Sequence, residues 1–201
     1  MQCESFLVPA FEADCSGHIP SARECYQLWD QYNMLDHIRI HSRLVALVAS
    51  EVASLLKDKG LQVQVQAVLA AGLLHDLAKS YTLKYGGNHS QIGASWVMLH
   101  TGNPAIAQGV LHHPHWPGAL EIKKHALPLC LVYADKRVMH DQIVTLQERF
   151  SDLLNRYGST RIRVDMMQNS FTQALEIQRL LNSMLEVDLD AYPFDSRRLV
   201  E

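Results

Sequence analysis

The sequence has few of the features that mark several common classes of protein. Its four cysteines form no CxxC pair: Cys3, Cys15, Cys25 and Cys130. A disulfide framework is therefore not expected, and we interpret the chain as a cytoplasmic protein with reduced thiols. No apolar run is long enough to cross a bilayer, and residues 1–20 lack the basic and apolar regions of a signal peptide.

Excess charge of either sign is also lacking. The 201 residues include 18 Lys and Arg against 21 Asp and Glu, a net charge of -3, which leaves no basic footprint for a nucleic-acid binder. Charged residues make up 19% and hydrophobic residues 48%, a composition typical of a globular chain with a substantial core. We therefore expect neither nucleic acid nor a membrane as a partner, and the sequence leaves the oligomeric state open.

Period-two alternation is absent, whereas apolar residues three and four apart recur along most of the chain, so we predict an all-α fold. A long amphipathic helix covers residues 35–60, and the segment VQAVLAAGLLHDLA is apolar on nearly all sides, which predicts a central helix. KSYTLKYGGNHS and HHPHWPG are predicted as loops, and AYPFDSRRLVE as a loosely held tail. Further helices are predicted for SARECYQLWDQY, SQIGASWVMLHTG, the segment opened by Asn103-Pro104, LPLCLVYADKRVM, the segment opened by Thr145, and residues 159–186.

Histidine, with 11 residues in the chain, is the abundant side chain that could take part in chemistry. The run AAGLLHDLAKS ends an apolar helix in His75 and Asp76, which are costly to bury without partners. Asp135 follows a second apolar run, His41 lies in RIHSRLV, and His112-His113 lie in VLHHPH. Imidazole with carboxylate suits Fe, Mn, Co, Ni or Zn, and the lack of thiolate ligands argues against a structural zinc finger. Adjacent helical residues point about 100° apart, so one ion can take both His75 and Asp76 only at a helix end or bend.

Each histidine also has a purely structural interpretation. A single histidine on an amphipathic helix is usually a hydrogen-bonded structural or surface residue, and we accept this for His37, His100, His125 and His140. For His75-Asp76 the alternative is an internal cap, with Asp76 bound to a backbone amide or to Lys79. The joint occurrence with residues on other helices favours a shared metal site.

The ordered set resembles the HD-domain superfamily of metal-dependent phosphohydrolases, over about residues 22–150. The residues that carry the resemblance are His41, His75-Asp76, His89, His112-His113 and Asp135. The details look closest to small stand-alone bacterial HD proteins and to HD modules attached to nucleotidyltransferases of the molybdenum-cofactor type. The resemblance implies an HD-domain helical bundle at 21–157, with 1–20 as an N-terminal extension and 158–201 as a C-terminal helix and tail that pack on it.

The resemblance also implies roles for individual residues. A divalent transition metal (Fe, Mn, Co, Ni or Zn) would be held by four ligands: His41, His75, Asp76 and Asp135. A second metal ion, or the phosphate of the substrate, would be bound by three further histidines: His89, His112 and His113. The proton of the attacking water would go to Asp76 or His113. Lys79 would steady a phosphoryl oxygen, with a surface lysine as the equally weighted alternative. Arg39 and Arg43 are weak candidates beside His41.

The chemistry implied is hydrolysis by a metal-activated water, acting on a phosphomonoester or phosphoanhydride of a small molecule, with a nucleotide as the favoured substrate. Two alternatives stay open: a di-iron oxygenase of the HD type, and a non-catalytic metal- or nucleotide-binding regulatory module. HHPHWPG stands where cyclic-di-GMP phosphodiesterases carry their GYP signature, so that substrate is disfavoured. Trp116 in this loop is expected to pack rather than to stack on a base.

Overall fold

The computed structural model describes residues 13–194, and within this range the secondary structure is helical apart from one short hairpin. The elements, in chain order, are α1 Ala22–Gln31, α2 Asp36–Asp58, α3 Val65–Leu74, α4 Lys79–Tyr85, α5 His89–Thr101, α6 Pro104–His112, α7 Ala126–Arg137, β1 Val138–Met139, β2 Gln142–Ile143, α8 Leu146–Tyr157 and α9 Arg161–Leu185. The all-α prediction is confirmed.

Local signals in the sequence fix where several helices begin. α1 and α8 each start with a capping box, in which the hydroxyl of Ser21 or Thr145 accepts from the backbone amide three residues on. Asn103 caps α6 by accepting from the amide of Ile106 at 3.1 Å, and Pro104 occupies the first helical position. These beginnings agree with the sequence-based prediction because each rests on contacts within a few residues.

The apolar helix α3 lies at the centre of the bundle, between α2, α6 and α7, with α1 also packed against it. Its Leu73 carbonyl accepts from the indole nitrogen of Trp29 at 2.8 Å, which satisfies a buried donor. Gly72 lies against the backbone of Ala46, so α2 and α3 approach closely at this point. Within residues 13–194, no helix combines the length and hydropathy that a membrane crossing requires.

Two predictions about local structure were wrong. The segment KSYTLKYGGNHS is not a loop throughout, because Lys79–Tyr85 forms α4 before the chain turns at Gly86 and Gly87. The segment was predicted as a loop because it is polar, but Lys79–Tyr85 contains no glycine or proline to prevent a helix. The predicted helix through Ala78 ends at Leu74 instead, and a two-residue hairpin, too short to show alternation, follows α7.

The C-terminal helix α9 packs against α7 and α8 and makes fewer contacts with α2. Beyond it, the hydroxyl of Tyr192 donates to Glu51 at 2.8 Å, and the guanidinium of Arg137 lies over the ring of Phe194 at 5.6 Å. The first residues of the tail AYPFDSRRLVE are thus anchored, and residues 195–201 lie outside the described range.

The buried thiols give a test of this core. Burial raises the pKa of Cys25 and of Cys130 to about 12, whereas Cys15 is half-buried and its pKa is raised less far, again by burial. The thiolate is the reactive form, so neither core cysteine should react with Ellman's reagent in the native protein at neutral pH. In a Cys3→Ser variant we expect slow release of one equivalent, from Cys15, and of three equivalents after unfolding. Fast native labelling of a second thiol would contradict this packing.

Candidate metal centre

Five helices bring side chains to one end of the bundle. His41 lies in the first turns of α2, and His89 is the first residue of α5. His75 and His113 directly follow the last residues of α3 and α6, and Asp135 lies in the last turn of α7. Three helix C-termini, each the negative end of a helix dipole, therefore meet here, which favours a bound cation.

His75 and His113 end their helices in the same way. The Nδ1 of His75 donates to the carbonyl of Gly72 at 2.7 Å, and the Nδ1 of His113 donates to the carbonyl of Val110 at 2.8 Å. Each hydrogen bond uses a carbonyl that the helix end leaves free. Because Nδ1 carries the hydrogen, Nε2 of the neutral ring keeps its lone pair and faces the cluster, as in histidines that bind metals.

One group of potential ligands comprises His41, His75 and Asp135, whose ligand atoms all lie within 4.8 Å of one another. His41 Nε2 donates to Asp135 Oδ1 at 3.1 Å, and His75 Nε2 lies 3.7 Å from the same oxygen. His75 and Asp135 are 60 positions apart in the sequence. Their convergence therefore depends on how α2, α3 and α7 pack.

A second group comprises His75, Asp76 and His113, and it shares His75 with the first. Asp76 Oδ1 lies 3.8 Å from His113 Nε2 and 3.3 Å from His89 Nε2. The two Nε2 atoms of His89 and His113 are 3.2 Å apart. Asp76 can face the same space as His75 because α3 has ended at Leu74 and the chain turns.

Two buried polar atoms in this cluster have no hydrogen-bond partner among the described residues: Nε2 of His75 and Oδ1 of Asp76. The nearest carboxylate oxygen to the imidazole nitrogen is Oδ2 of Asp76 at 3.5 Å, too far for a good hydrogen bond. Leaving both atoms unpaired is costly, and a divalent cation would satisfy both at once. Nitrogen and carboxylate oxygen are also ligands that Mn, Fe, Co, Ni and Zn accept, so the residues present fit a metal ion.

The two carboxylates are ionised at neutral pH. Burial alone would raise the pKa of Asp76, but His75 and Lys79 outweigh it and hold the pKa well below its usual value. Burial acts in the same direction on Asp135, where Lys136 and the imidazole of His41 hold the pKa well below its usual value. Both side chains therefore offer negative oxygen atoms to a cation.

Most of the histidines in the cluster are neutral. Burial lowers the pKa of His41 and His89, and it lowers the pKa of His113 well below its ordinary value. For His75 burial also acts downward, but the carboxylates, with Asp76 the stronger, outweigh it and raise the pKa. Metal ligands must be neutral imidazoles and ionised carboxylates, which is the state that most of this cluster already holds.

Two lysines border the carboxylates. Lys79 Nζ donates to Asp76 Oδ2 at 2.6 Å, one helical turn along the chain. Lys136 is buried and donates to Oδ2 of Asp135 and, at 3.4 Å, to the carbonyl of His113. Each lysine thus holds Oδ2 of one carboxylate, while Oδ1 of Asp76 lies near His89 and His113 and Oδ1 of Asp135 lies near His41 and His75.

A cavity of about 850 Å³ opens beside the cluster. His41, Asp76 and Lys79 are among the residues that line it. The cavity is also lined by residues that the sequence did not connect with the site: His37, Ile38, Ile40, Leu83, His140, Asp141, Arg149, Leu153, Arg156 and Tyr157. His37 and His140 were interpreted as structural, yet both line this cavity. The signal for His37 was its position one turn before His41, on the same face of α2.

Other candidates lie outside the cluster. The ring of His112 packs edge-on against Trp116, with centroids 5.6 Å apart, and lines a groove between α5 and α6. Trp116 is 1% exposed and its indole donates to the Ala119 carbonyl, so it packs as expected. Arg39 pairs with Asp30, and Arg43 lies over the rings of two aromatic residues of α1: Tyr26 and Trp29.

Comparison with known proteins agrees with this geometry. The sequence profile of the HD domain matches residues 38–150. A ribonuclease Y from Opitutus terrae is 35% identical over 151 residues, which cover 73% of this chain and 25% of that protein. An uncharacterized protein from Methanocaldococcus jannaschii is 27% identical over 154 residues, 68% of this chain and 88% of that protein. The chain thus spans about a quarter of the length of the ribonuclease Y relative.

A solved structure, described as a predicted HD superfamily hydrolase from an uncultured Thermotogales bacterium, has a TM-score of 0.48 and 21% identity to this chain. The similarity covers 82% of this chain and 93% of the other. The profile match covers more than half of the sequence and includes every one of the clustered histidines and carboxylates. It supports a metal-dependent phosphohydrolase at the level of the superfamily. This chain belongs to the HD domain family.

Proposed function

We propose that this protein is a metal-dependent phosphohydrolase that acts on a phosphomonoester or phosphoanhydride bond of a nucleotide. The observation that carries the proposal is the pair of buried, unpartnered atoms, His75 Nε2 and Asp76 Oδ1, beside a cavity large enough for such a substrate. Four residues would hold a divalent transition metal: His41, His75, Asp76 and Asp135. When bound, the ion supplies a water of lowered pKa and positive charge for a phosphoryl oxygen.

The remaining residues have roles that follow from their positions. His113 is buried, and its Nε2 lone pair faces Asp76 Oδ1, so it supports a role either as a ligand or as acceptor of the water proton. His89, whose Nε2 lies 3.2 Å from Nε2 of His113, is proposed for the same role. Lys79 is tied to Asp76 at the cavity wall, where an ammonium would offset charge on the phosphoryl group. Hydrolysis forms one bond from the water oxygen to phosphorus and breaks the bond to the leaving oxygen.

The number and identity of the ions belong to the same proposal. The two overlapping groups of ligands, joined through His75, support one or two ions of Fe, Mn, Co, Ni or Zn. His112 was expected to join the second group, but its contact with Trp116 gives no support for that role.

The proposal predicts metal-dependent phosphate release. We expect protein loaded with Mn, Co, Ni or Fe to release phosphate from at least one member of a panel of nucleoside mono-, di- and triphosphates. His113→Ala should lower kcat by about 10²- to 10⁴-fold, the usual contribution of a general acid or base, while the circular dichroism spectrum stays unchanged. Malachite green detection of phosphate measures both.

His125→Ala is the matched control, because His125 packs against Trp116 and lies outside both ligand groups. Its phosphate release should match that of the wild type. A short RNA is included as a competing substrate, since the relative from Opitutus terrae is named ribonuclease Y. Metal-dependent cleavage of RNA without phosphate release from any nucleotide would contradict the proposed substrate class. Oxygen uptake by the iron-loaded protein, with no phosphate released, would contradict hydrolysis.

A further inference from the structure

The cavity wall formed by α8 has an unusual chemical character. Arg149, Leu153 and Arg156 are spaced by four and three residues, so they share one face of α8, and all three line the cavity. Most of α8 lies beyond residue 150, where the match to the HD domain ends. Arg156 lies beyond this match and Arg149 just inside it, and neither belongs to the histidines and carboxylates of the metal centre.

Arg149 is largely buried, with 14% of its side chain exposed, and its charge is poorly satisfied. Its Nε is buried without a hydrogen-bond partner among the described residues. The ion pair to Asp152 is long, at 3.5 Å between Nη1 and Oδ2. Burying a guanidinium with an unpaired N–H is costly. Arg149 is among the residues that line the ligand-sized cavity, so an anion bound there would lie beside a guanidinium group whose charge is poorly satisfied.

Arg156 lies beside Arg149. Its Nη2 donates to Oδ2 of Asp152, the same oxygen that Arg149 approaches, so the two guanidinium groups are neighbours. A single carboxylate thus stands against two cations of α8, and Lys79, paired with Asp76, also lines the cavity. Besides Asp76, Asp141 is the acidic residue that lines the cavity. Paired guanidinium groups recognise phosphate oxygens through parallel N–H bonds.

The rest of the cavity suits an apolar ring. Ile40 from α2, Leu83 from α4 and Leu153 and Tyr157 from α8 line it. Ile40, Leu83 and Tyr157 are 43%, 67% and 47% exposed, although large apolar side chains usually avoid water. A planar base would cover part of this surface, with its phosphates directed towards the arginines and the metal centre.

We propose that Arg149 and Arg156 bind two adjacent phosphates of the substrate, so that the ligand class is a nucleoside diphosphate or triphosphate rather than a monophosphate. This inference rests on the proposed function for the identity of the site. The binding step itself needs no turnover, and it can therefore be tested separately from hydrolysis.

The test is isothermal titration calorimetry of the full-length, manganese-loaded protein with inorganic pyrophosphate and with inorganic phosphate, at equal free manganese in cell and syringe. We expect pyrophosphate to bind more tightly than phosphate. Arg149→Gln and Arg156→Gln should each weaken pyrophosphate binding by about 10- to 100-fold, the effect of losing a hydrogen bond to a charged group. Arg149→Lys should recover part of the loss, since it restores charge without the planar fork.

Arg179→Gln is the matched control, because Arg179 is exposed on α9 and pairs with Glu176. It should bind pyrophosphate as the wild type does. Unchanged pyrophosphate affinity in Arg149→Gln would overturn the inference even if nucleotides are hydrolysed. Loss of binding in Arg149→Gln but not in Arg156→Gln would overturn the claim of two phosphates. Loss in both arginine variants, with no nucleotide hydrolysed by the wild type, would support the inference and contradict the proposed function.

Discussion

Replacing His75 with alanine is expected to remove bound transition metal from the purified protein and to leave its helix content near that of the wild type. His75 is fully buried and belongs to both groups of potential ligands, so its loss disrupts every arrangement in which an ion could bind. Removing partners of metal ligands alone lowers metal affinity by about 10- to 100-fold, and a shared ligand should cost more. Elemental analysis by mass spectrometry gives the metal content per chain, and circular dichroism gives the helix content.

Asp76→Asn is the second variant of this experiment, because the amide keeps the shape of the side chain and removes the negative charge. It should also lose the metal. The matched control is His100→Ala, since His100 bonds to the hydroxyl of Tyr32 at 2.7 Å on the surface and contacts no member of the cluster. Full metal content in both His75→Ala and Asp76→Asn would remove the basis for a metal centre at this end of the bundle.

The position of His75 and Asp76 shows what the sequence could predict. Their helical period, and the 100° between adjacent side chains, required a helix end or bend if both were to face one ion. α3 does end at Leu74, directly before them. The meeting of His41, His75 and Asp135 could not follow from spacing alone, because it depends on three helices packing together. The joint occurrence of these residues favoured a shared site, and the resemblance to the HD family implied which of them would be ligands.

His112 and His113 show a signal that the sequence held but that was not used. Both were named as candidates, although adjacent residues on a helix face different ways. Gly109 and Val110 precede His113 by four and three residues, so they lie on the same face of the helix as His113. All three residues are buried. His112 falls on another face and packs against Trp116. The period of α6 alone therefore favours His113.

Arg149 could not be identified in this way. It lies within TLQERF, which the sequence presents only as the start of a capped helix. The role proposed for it depends on how α8 docks against α7, which places one face of α8 along the cavity. Such docking is set by long-range packing and leaves no mark on local periodicity.

The close approach of α2 and α3 predicts a large loss of stability for Gly72→Ala. A Cβ atom at this position would lie 2.4 Å from Cα of Ala46 and 2.9 Å from its backbone nitrogen, and backbone atoms cannot move aside without separating the helices. Overpacking of this kind costs about 1–3 kcal/mol or more. For a chain of this size, that lowers Tm by about 2–12 °C. Differential scanning calorimetry measures the shift.

The same substitution should also weaken metal binding. The Gly72 carbonyl accepts from Nδ1 of His75, so a displaced α3 moves His75 relative to His41 on α2. Gly93→Ala is the matched control, because Gly93 is also helical and its added Cβ would meet Val110 Cγ1 at 3.4 Å, an ordinary contact. Alanine is the better helix former by about 1 kcal/mol, so Gly93→Ala should be as stable as the wild type or slightly more stable. If Gly72→Ala matched it in Tm and in metal content, the close packing that holds the metal-binding residues together would be wrong.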